Sequence, residues 1–178
     1  VSDSPFGITL VGDRFQDARL LAIGARLEKL LRPPTKNDSK KVLPFKDPAH
    51  VYLAVCGAHM TDLPLNHQLT SRGAVLIEAT ESASKYRLYA LAGGPPMRPG
   101  MVRVNEDGCA IKLEIWRMPA QAFASFLALI PSPLGIGNIE TASGKSVPGF
   151  ICEQAGLLGA TDITEFGGWR SYLASKTS

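Results

Sequence analysis

The chain has 178 residues and a mass of 19.1 kDa, enough for one well-packed core or for one core with an appended segment. Hydrophobic residues make up 45% of the sequence, charged residues 20%, and the formal net charge is +3; we therefore expect a globular domain whose charge is too small to predict nucleic-acid binding. Every apolar stretch is shorter than the ~20 residues that a membrane-spanning helix needs, so no membrane segment is expected.

The cysteines argue against a disulfide framework or a cysteine-based metal site. Cys56, Cys109 and Cys152 are odd in number, far apart and not arranged as CxxC pairs, which favours buried thiols in a reducing cytoplasm. The three histidines lack metal-ligand spacing, so we predict no metal and no cofactor. The chain starts with Val1 and shows no signal-peptide pattern, so we expect a cytoplasmic, processed or cloned piece.

Residues 1–31 predict one strand followed by one helix. The strand is expected at residues 6–11, and Asp17 is a suitable N-cap for a helix whose apolar positions recur at helical spacing up to Leu31. Residues 32–48 contain prolines and charges without periodicity, which is typical of a linker. Strand, helix and linker together suggest the end of a larger domain.

Residues 49–178 predict an α+β domain built mostly from short strands. A buried strand is expected at residues 51–56, followed by three hairpins that pair 74–80 with 86–91, 101–104 with 110–117, and 134–141 with 147–152. Pro119 is expected to begin a helix, Asp162 to cap a short turn, and Trp169 to belong to a short closing helix. We therefore predict a small, partly closed antiparallel β-barrel with short flanking helices.

The clearest candidate site lies where the strand of residues 51–56 ends. Gly57 allows a sharp turn, and the backbone N–H groups of Gly57, Ala58, His59 and Met60 could then face a carboxylate. His59 titrates near neutral pH and could donate a proton to a departing nitrogen. The alternative is a tight strand-to-loop corner with an incidental histidine.

Other polar residues are further candidates. His67 is a candidate catalytic residue and Asn66 a candidate for substrate binding, with a locally bonded helix start as the alternative. Arg72 and Arg87 could neutralise a dianion through bidentate hydrogen bonds or could be solvated. Glu153 could act as a general base or orient a histidine, with a salt bridge as the alternative.

Two further groups could shape a pocket. Tyr86 and Tyr89 fall on opposite faces of one strand, so only one of them is expected to face a ligand. The stretch 131–137, with Gly135 and Gly137, could form a wall opposite Gly57 or could simply be the exit from a helix.

Several motifs, in the same order, resemble the C-terminal domain of allophanate hydrolase over roughly residues 50–175. They read Cys-Gly-Ala-His at 56–59, Pro-Leu-Asn-His-Gln-Leu at 64–69, Tyr-Arg-Leu-Tyr at 86–89, Pro-Ser-Pro-Leu-Gly-Ile-Gly at 131–137, Gly-Phe-Ile-Cys-Glu at 149–153, Asp-Ile-Thr at 162–164 and Phe-Gly-Gly-Trp at 166–169. More distantly, the domain resembles the γ-glutamylcyclotransferase fold, but the comparable stretch 126–134 lacks that family's catalytic glutamate. Cyclotransferase chemistry is therefore not expected.

Residues 5–31 resemble the last strand and helix of an amidase-signature domain, on Pro-Phe-Gly-Ile at 5–8, Phe-Gln-Asp at 15–17 and the pair Leu20-Leu21. The resemblance implies that an amidase domain of the same longer chain deaminates allophanate, in urea or cyanuric acid degradation. The present domain would then help to decarboxylate the product to ammonia and carbon dioxide, holding a small carboxylate as its ligand. The amidase Ser-Ser-Lys apparatus is absent from this chain. The alternative is a non-catalytic scaffold that joins amidase domains in a homodimer or larger assembly.

Overall fold

The computed structural model describes residues 20–24, 27 and 48–177. The chain divides into two units, residues 1–41 and 42–178. In the first unit, residues 20–24 and 27 are helical, within the helix expected there. The predicted strand at 6–11 and the predicted linker up to residue 47 lie outside the described residues.

Residues 48–177 form an α+β domain, which confirms the predicted class. The strands are β1 His50–Val55, β2 Val75–Glu81, β3 Tyr86–Ala90, β4 Pro99–Arg103, β5 Lys112–Pro119, β6 Leu134–Glu140, β7 Ser146–Cys152 and β8 Thr161–Asp162. The helices are α1 His67–Thr70, α2 Ala120–Leu127 and α3 Trp169–Thr177, with 3₁₀ turns at Gln154–Leu157 and Thr164–Phe166. None of the helices in the described ranges is both long and apolar enough for a membrane span.

The strands are arranged in two sheets. The larger has the order β2-β5-β1-β7-β6, and every neighbouring pair is antiparallel except β1 and β7. The smaller has the order β4-β3-β8 and is antiparallel. The edges of the larger sheet approach one another at an isolated bridge between Ser82 and Thr141. Because no continuous ladder among the described strands closes a barrel, the barrel remains a prediction.

Of the three predicted hairpins, only β6–β7 is confirmed. The other two are wrong: β2 pairs with β5, and β3 pairs with β4 and β8. The chain leaves β2 at buried Ser82, whose Oγ accepts the Ile111 N–H at 2.9 Å, and Ala83 N–H then donates to Glu140 O at 2.8 Å. These contacts direct the chain from β2 towards the smaller sheet. The strands β2 and β3, which are consecutive in sequence, therefore do not pair with each other.

The larger sheet is buried on both faces in its centre. Ala54 and Cys56 of the β1 segment lie in a cluster under the smaller sheet and α3, whereas Leu53 and Val55 lie in a second cluster under α2. Side chains alternate between faces along a strand, so β1 must be apolar on both sides. Phe126 of α2 is fully buried in the second cluster, which contributes about 1.5–3 kcal/mol. As expected, α2 follows Pro119 directly.

Candidate functional site

A cavity lies beside the parallel strands β1 and β7, whose ladder contains one register pair, Ala54 with Gly149. In open α/β sheets, ligands commonly bind beyond the carboxyl ends of parallel strands. The cavity here has a volume of about 410 Å³ and contacts Val55 and Phe150 from the two strands.

Three segments line this cavity. They are residues 55–59 after β1, residues 94–99 of the β3–β4 loop, and residues 129–134 after α2, and Leu65, Gln68 and Phe150 complete the wall. Among the lining residues, only Arg98 carries a formal charge at neutral pH, and no carboxylate is present. The cavity is therefore a mostly apolar space with one fixed cation.

Residues 57–60 form a tight turn at the start of the cavity. The Met60 N–H donates to Gly57 O at 2.9 Å, and the Leu65 N–H donates to Ala58 O at 2.9 Å. The N–H groups of Gly57, Ala58 and His59 donate to no acceptor among residues 48–177. The prediction that the Met60 N–H faces a ligand is wrong, because this N–H closes the turn and the Met60 side chain is buried in the core.

Gly57 is required by a close approach. A Cβ at this position would lie 2.5 Å from Pro99 Cγ and 2.6 Å from Pro99 Cδ, well inside contact distance. The missing side chain lets the β3–β4 loop pack directly on the 57–60 turn. Two walls of the cavity are therefore held together at this residue, with Arg98 next to the contact.

His59 is held as a neutral imidazole. Its Nε2 lies 2.9 Å from Gln68 Oε1, and because an amide oxygen only accepts, Nε2 carries the proton and Nδ1 is free to accept. The ring stacks on Phe150 at a centroid distance of 5.0 Å and meets the edge of Phe126 at 5.3 Å. Burial lowers the pKa of His59; the Gln68 hydrogen bond opposes this and the nearby His67 adds to it.

The Arg98 side chain is half-buried and makes no hydrogen bond or ion pair to any residue in the range 48–177. A partly desolvated guanidinium without an acceptor is suited to a carboxylate, which it can bind through two parallel hydrogen bonds. Cys56 lines the cavity near it, but burial raises the pKa of this thiol to about 12. Cys56 therefore stays protonated and is not a nucleophile.

Asn66, His67 and Arg72 lie around the cavity and not in its wall. Asn66 Nδ2 donates to His59 O at 2.9 Å, which holds the 57–60 turn. His67 is exposed, with Nδ1 2.9 Å from Pro64 O. Arg72 donates to Gln68 O at 2.9 Å and to Ser125 Oγ at 3.0 Å, so it ties α1 to α2.

Tyr86 and Arg87 lie in a different region. Tyr86 is fully buried, and its Oη accepts hydrogen bonds from Arg103 Nη2 at 2.6 Å and from Glu140 N–H at 2.8 Å. Arg87 pairs with Asp162 at 3.3 Å on the surface. Neither residue lines the cavity, and both side chains are bonded to other parts of the domain.

The remaining candidates flank the cavity. Pro131 and Leu134 of the predicted wall line it, whereas Gly135 and Gly137 belong to β6 and do not. Glu153 is exposed just after β7, and its N–H donates to Pro133 O. No group of three or more His, Cys, Asp or Glu side chains within the described ranges is placed to share a metal ion.

Sequence reasoning missed Arg98 and Gln68. Arg98 lies at 93–100, a segment rich in glycine and proline whose composition is typical of a loop and gives no partner for an arginine. The one available signal was a cation inside a stiff loop without a neighbouring acid in sequence. Gln68 follows His67 in sequence, and nothing in the sequence indicates that it bonds His59 from the first turn of α1.

Comparison with protein families gives one match over most of the domain. The family described as "Allophanate hydrolase C-terminal domain" matches residues 51–174. The urea amidolyases of Lachancea kluyveri and Saccharomyces cerevisiae are each 37% identical over 187 aligned residues, which cover 95% of this chain and 10% of theirs. The chain thus spans about a tenth of the length of these curated relatives.

Comparison with solved structures also finds a urea amidolyase. The urea amidolyase of K. lactis superposes with a TM-score of 0.70 and 42% identity, over 72% of this chain and 8% of that one. The uropathogenic E. coli-specific protein c4763 superposes with a TM-score of 0.66 and 36% identity, over 70% of this chain and 96% of its own. Protein PH0828 of Pyrococcus horikoshii, at 18% identity and a TM-score of 0.54, shares the fold alone; 71% of this chain and 96% of that one are covered.

Proposed function

This chain belongs to the family of allophanate hydrolase C-terminal domains, and we propose that its cavity binds a small carboxylate and promotes the loss of carbon dioxide from it. One observation carries the proposal. Arg98, whose side chain has no acceptor within residues 48–177, lines the same cavity as Gly57, Ala58 and His59, whose N–H groups are unbonded within that range. Together they supply a cation and several N–H donors for one carboxylate group.

The proposed substrate is the dicarboxylate formed when water hydrolyses the amide of allophanate and releases its nitrogen as ammonia. It consists of one nitrogen that bears two carboxylate groups. In the reaction, one C–N bond breaks, its electron pair goes to nitrogen, and the nitrogen takes a proton; the products are carbon dioxide and carbamate. Carbamate then breaks in the same way to carbon dioxide and ammonia. Arg98 and the amides hold the carboxylate that remains.

The apolar side of the cavity favours the loss of carbon dioxide. A carboxylate is charged and carbon dioxide is not, so a wall without hydrogen-bond donors destabilises the bound reactant relative to the departing product. Leu129, Ile130 and Leu134 form such a wall. The cavity thus combines a polar end that binds with an apolar end that favours release of a neutral molecule.

His59 supplies the proton in this proposal. In the free protein its pKa is lowered by burial, so it is neutral at pH 7. A bound dianion favours the imidazolium form and raises that pKa again. Because Gln68 already binds the Nε2 proton, the incoming proton is placed on Nδ1, from which it passes to the nitrogen of the breaking bond.

The wider assignment is part of the same proposal. Residues 1–31 are the end of an amidase domain, residues 32–48 a linker, and residues 49–178 a partly closed, γ-glutamylcyclotransferase-like barrel. The chain acts in the cytoplasm together with an amidase domain of the same longer protein, in urea or cyanuric acid degradation. The names of the urea amidolyase relatives support the hydrolase context.

A coupled assay tests the proposal. An amidase domain converts allophanate in the presence or absence of this chain, and carbon dioxide release is followed. We expect the wild-type chain to accelerate release and Arg98→Ala to abolish the acceleration. Arg87→Ala is the matched control, because Arg87 lies outside the cavity, and it should behave as wild type. Equal rates with and without the wild-type chain would refute a catalytic role.

A scaffold role is the second candidate, and one observation favours it. β2 is an edge strand whose Val75, Leu76 and Ile77 are all exposed, at 50%, 40% and 39%. Exposed apolar side chains on an edge strand are typical of a surface that another chain covers. Sedimentation of the wild-type chain and of Leu76→Lys distinguishes the two: a dimer that dissociates in the variant supports assembly through β2.

A further inference from the structure

A buried acid lies directly behind the 57–60 turn. Glu114 of β5 is 5% exposed and lies on the same face of the strand as Trp116, a member of the second core cluster. Its Oε2 accepts three hydrogen bonds, from Thr61 N–H at 2.8 Å, Thr61 Oγ1 at 3.0 Å and Trp116 Nε1 at 3.0 Å. Its Oε1 accepts one from Arg170 Nη2 at 3.1 Å.

Arg170 closes this group on the other side of Thr61. The same Nη2 that bonds Glu114 also donates to Thr61 O, so the amide, hydroxyl and carbonyl of Thr61 are all bonded. We call Thr61, Glu114, Trp116 and Arg170 the Thr61 clamp. It joins the loop after β1 to β5 and to the first turn of α3.

The Thr61 clamp fixes the carboxyl-terminal end of the 57–60 turn to β5. The same strand also pairs with β1 directly before the turn. Glu114 is the register partner of Val55, the last residue of β1. Thr61 follows Met60, whose N–H closes the turn on Gly57. Residues 56–60 are thereby tethered at both ends to one position of β5, which limits how the amides of Gly57, Ala58 and His59 can move.

Packing alone does not explain a carboxylate at this position. A buried ion pair loses much of its attraction to desolvation, and apolar residues of similar volume often stabilise a fold equally well. On the same face of β5, Trp116 and Met118 are buried apolar residues, so this face accepts apolar side chains. What an apolar residue at 114 cannot do is accept the Thr61 N–H.

We propose that Glu114 and Arg170 are positioning residues of the anion site: by bonding Thr61 on both sides, they keep the amides of the 57–60 turn in the arrangement that receives a carboxylate. The inference rests on the proposed function for the identity of the ligand. Neither residue lines the cavity that contains Arg98.

The test measures malonate binding by calorimetry. Malonate has the proposed substrate's two carboxylates, with CH₂ in place of NH. Glu114→Gln keeps the shape but loses the charge, and its NH₂ group opposes a donor of the clamp. We expect the malonate Kd to rise about tenfold, the size of one lost charge-assisted hydrogen bond. Arg170→Ala should behave similarly, and Arg170→Lys should recover part of the affinity.

Glu140→Gln is the matched control. Glu140 pairs with Lys85 at 2.9 Å and with Arg103 at 3.6 Å, so it too loses ion pairs that join separate elements. It contacts neither Thr61 nor the cavity of Arg98. We expect an unchanged malonate Kd.

Amide hydrogen exchange supplies a second readout, which does not depend on a ligand. In Glu114→Gln the amides of Met60 and Leu65, whose hydrogen bonds to Gly57 O and Ala58 O close the turn, should exchange faster, while those of β3 stay at the wild-type rate. Uniformly faster exchange would indicate a purely structural role and would overturn the inference.

The two proposals fail in different ways. If wild type binds malonate and Glu114→Gln binds it equally well, the clamp inference is overturned and the anion site stands. If wild type does not bind malonate, the anion site is refuted, and the exchange pattern alone decides whether the clamp orders the turn. If Glu114→Gln does not fold, the comparison of Arg170→Ala with Arg170→Lys decides the inference.

Discussion

Two regions of the domain contain arginine side chains, and they differ in what the arginines bind. Around Tyr86, Arg103 bonds the Tyr86 hydroxyl and pairs with Glu140, and Arg87 pairs with Asp162. Around Phe150, Arg98 has no acceptor among residues 48–177 and lines a cavity. The first region is satisfied by the protein itself, whereas the second leaves a cation for something else to bind.

The difference shows why residue type is a poor guide to a site. Tyr86 and Arg87 belong to a family motif and have side chains suited to anion recognition, yet the fold uses them to join β3 to β6 and β8. Arg98 has no distinctive sequence context. Unsatisfied hydrogen-bonding capacity beside a cavity separates binding from structure, because buried polar groups are otherwise paired.

The largest expected effect is on stability, in the region of Tyr86. Tyr86→Ala removes a fully buried aromatic ring and should lower the free energy of unfolding by about 3–5 kcal/mol, as for other buried aromatics. Urea denaturation measures the change. Tyr86→Phe keeps the ring and should lose less, and it should bind malonate like wild type; a weakened malonate Kd in Tyr86→Phe would contradict the separation of the two regions.

The next effect distinguishes two glycines near the cavity. Gly57→Ala places a Cβ 2.5 Å from Pro99 Cγ and forces the turn and the β3–β4 loop apart. We expect a loss of about 1–3 kcal/mol in stability, typical of overpacking, together with weaker malonate binding. Gly135→Ala is the control, since no atom lies within 4 Å of its added Cβ. Equal behaviour of the two variants would show that the Pro99 contact does not shape the site.

A smaller effect concerns pH. Burial lowers the pKa of His59 in the folded state, so the unfolded chain binds this proton more readily. Stability is therefore lost as the pH falls through about 6.5, the ordinary histidine value, and is regained above it. Chemical denaturation between pH 5 and pH 8, in steps of roughly half a unit, should show a shallower slope for His59→Gln than for wild type. Parallel profiles would mean that His59 is not held neutral by the fold.

The smallest effect is expected at the surface pair. Arg87 and Asp162 are 3.3 Å apart with both side chains more than a third exposed, and exposed pairs contribute little. Arg87→Ala should leave the midpoint of thermal unfolding, measured by circular dichroism, within error of wild type. A clear drop in the midpoint would show that this pair holds β8 against β3 more strongly than its exposure suggests.

Much of the secondary structure could be predicted from local patterns. Short apolar runs and alternating apolar residues located the long strands, and Pro119 located the start of α2. Strand partners could not be obtained this way, since a strand buried on both faces reads the same whichever neighbour it has. Ser82, whose hydroxyl redirects the chain after β2, looks like an ordinary turn residue in the sequence.

Only one wall of the candidate site, the segment after β1, could be predicted from the sequence. Gly57, Ala58 and His59 stand out because a glycine and a histidine follow a buried strand. Arg98 and Gln68 could not be placed, because each reaches the cavity from a different element, the β3–β4 loop and α1. The role of Glu114 was equally hidden, since an acid inside a strand gives no sign that it bonds Thr61 across 53 positions of sequence.

The central claim is that the cavity beside the 57–60 turn binds a small carboxylate through Arg98 and free amides. A ¹H–¹⁵N NMR titration of the chain with malonate tests it in both regions at once. We predict saturable shifts at the amides of Gly57, Ala58 and His59 and at the Arg98 Nε–H, with none at Tyr86, Arg87 or Asp162. Shifts confined to the Arg87 region, or no saturable shift at Gly57, Ala58 and His59, would contradict the account.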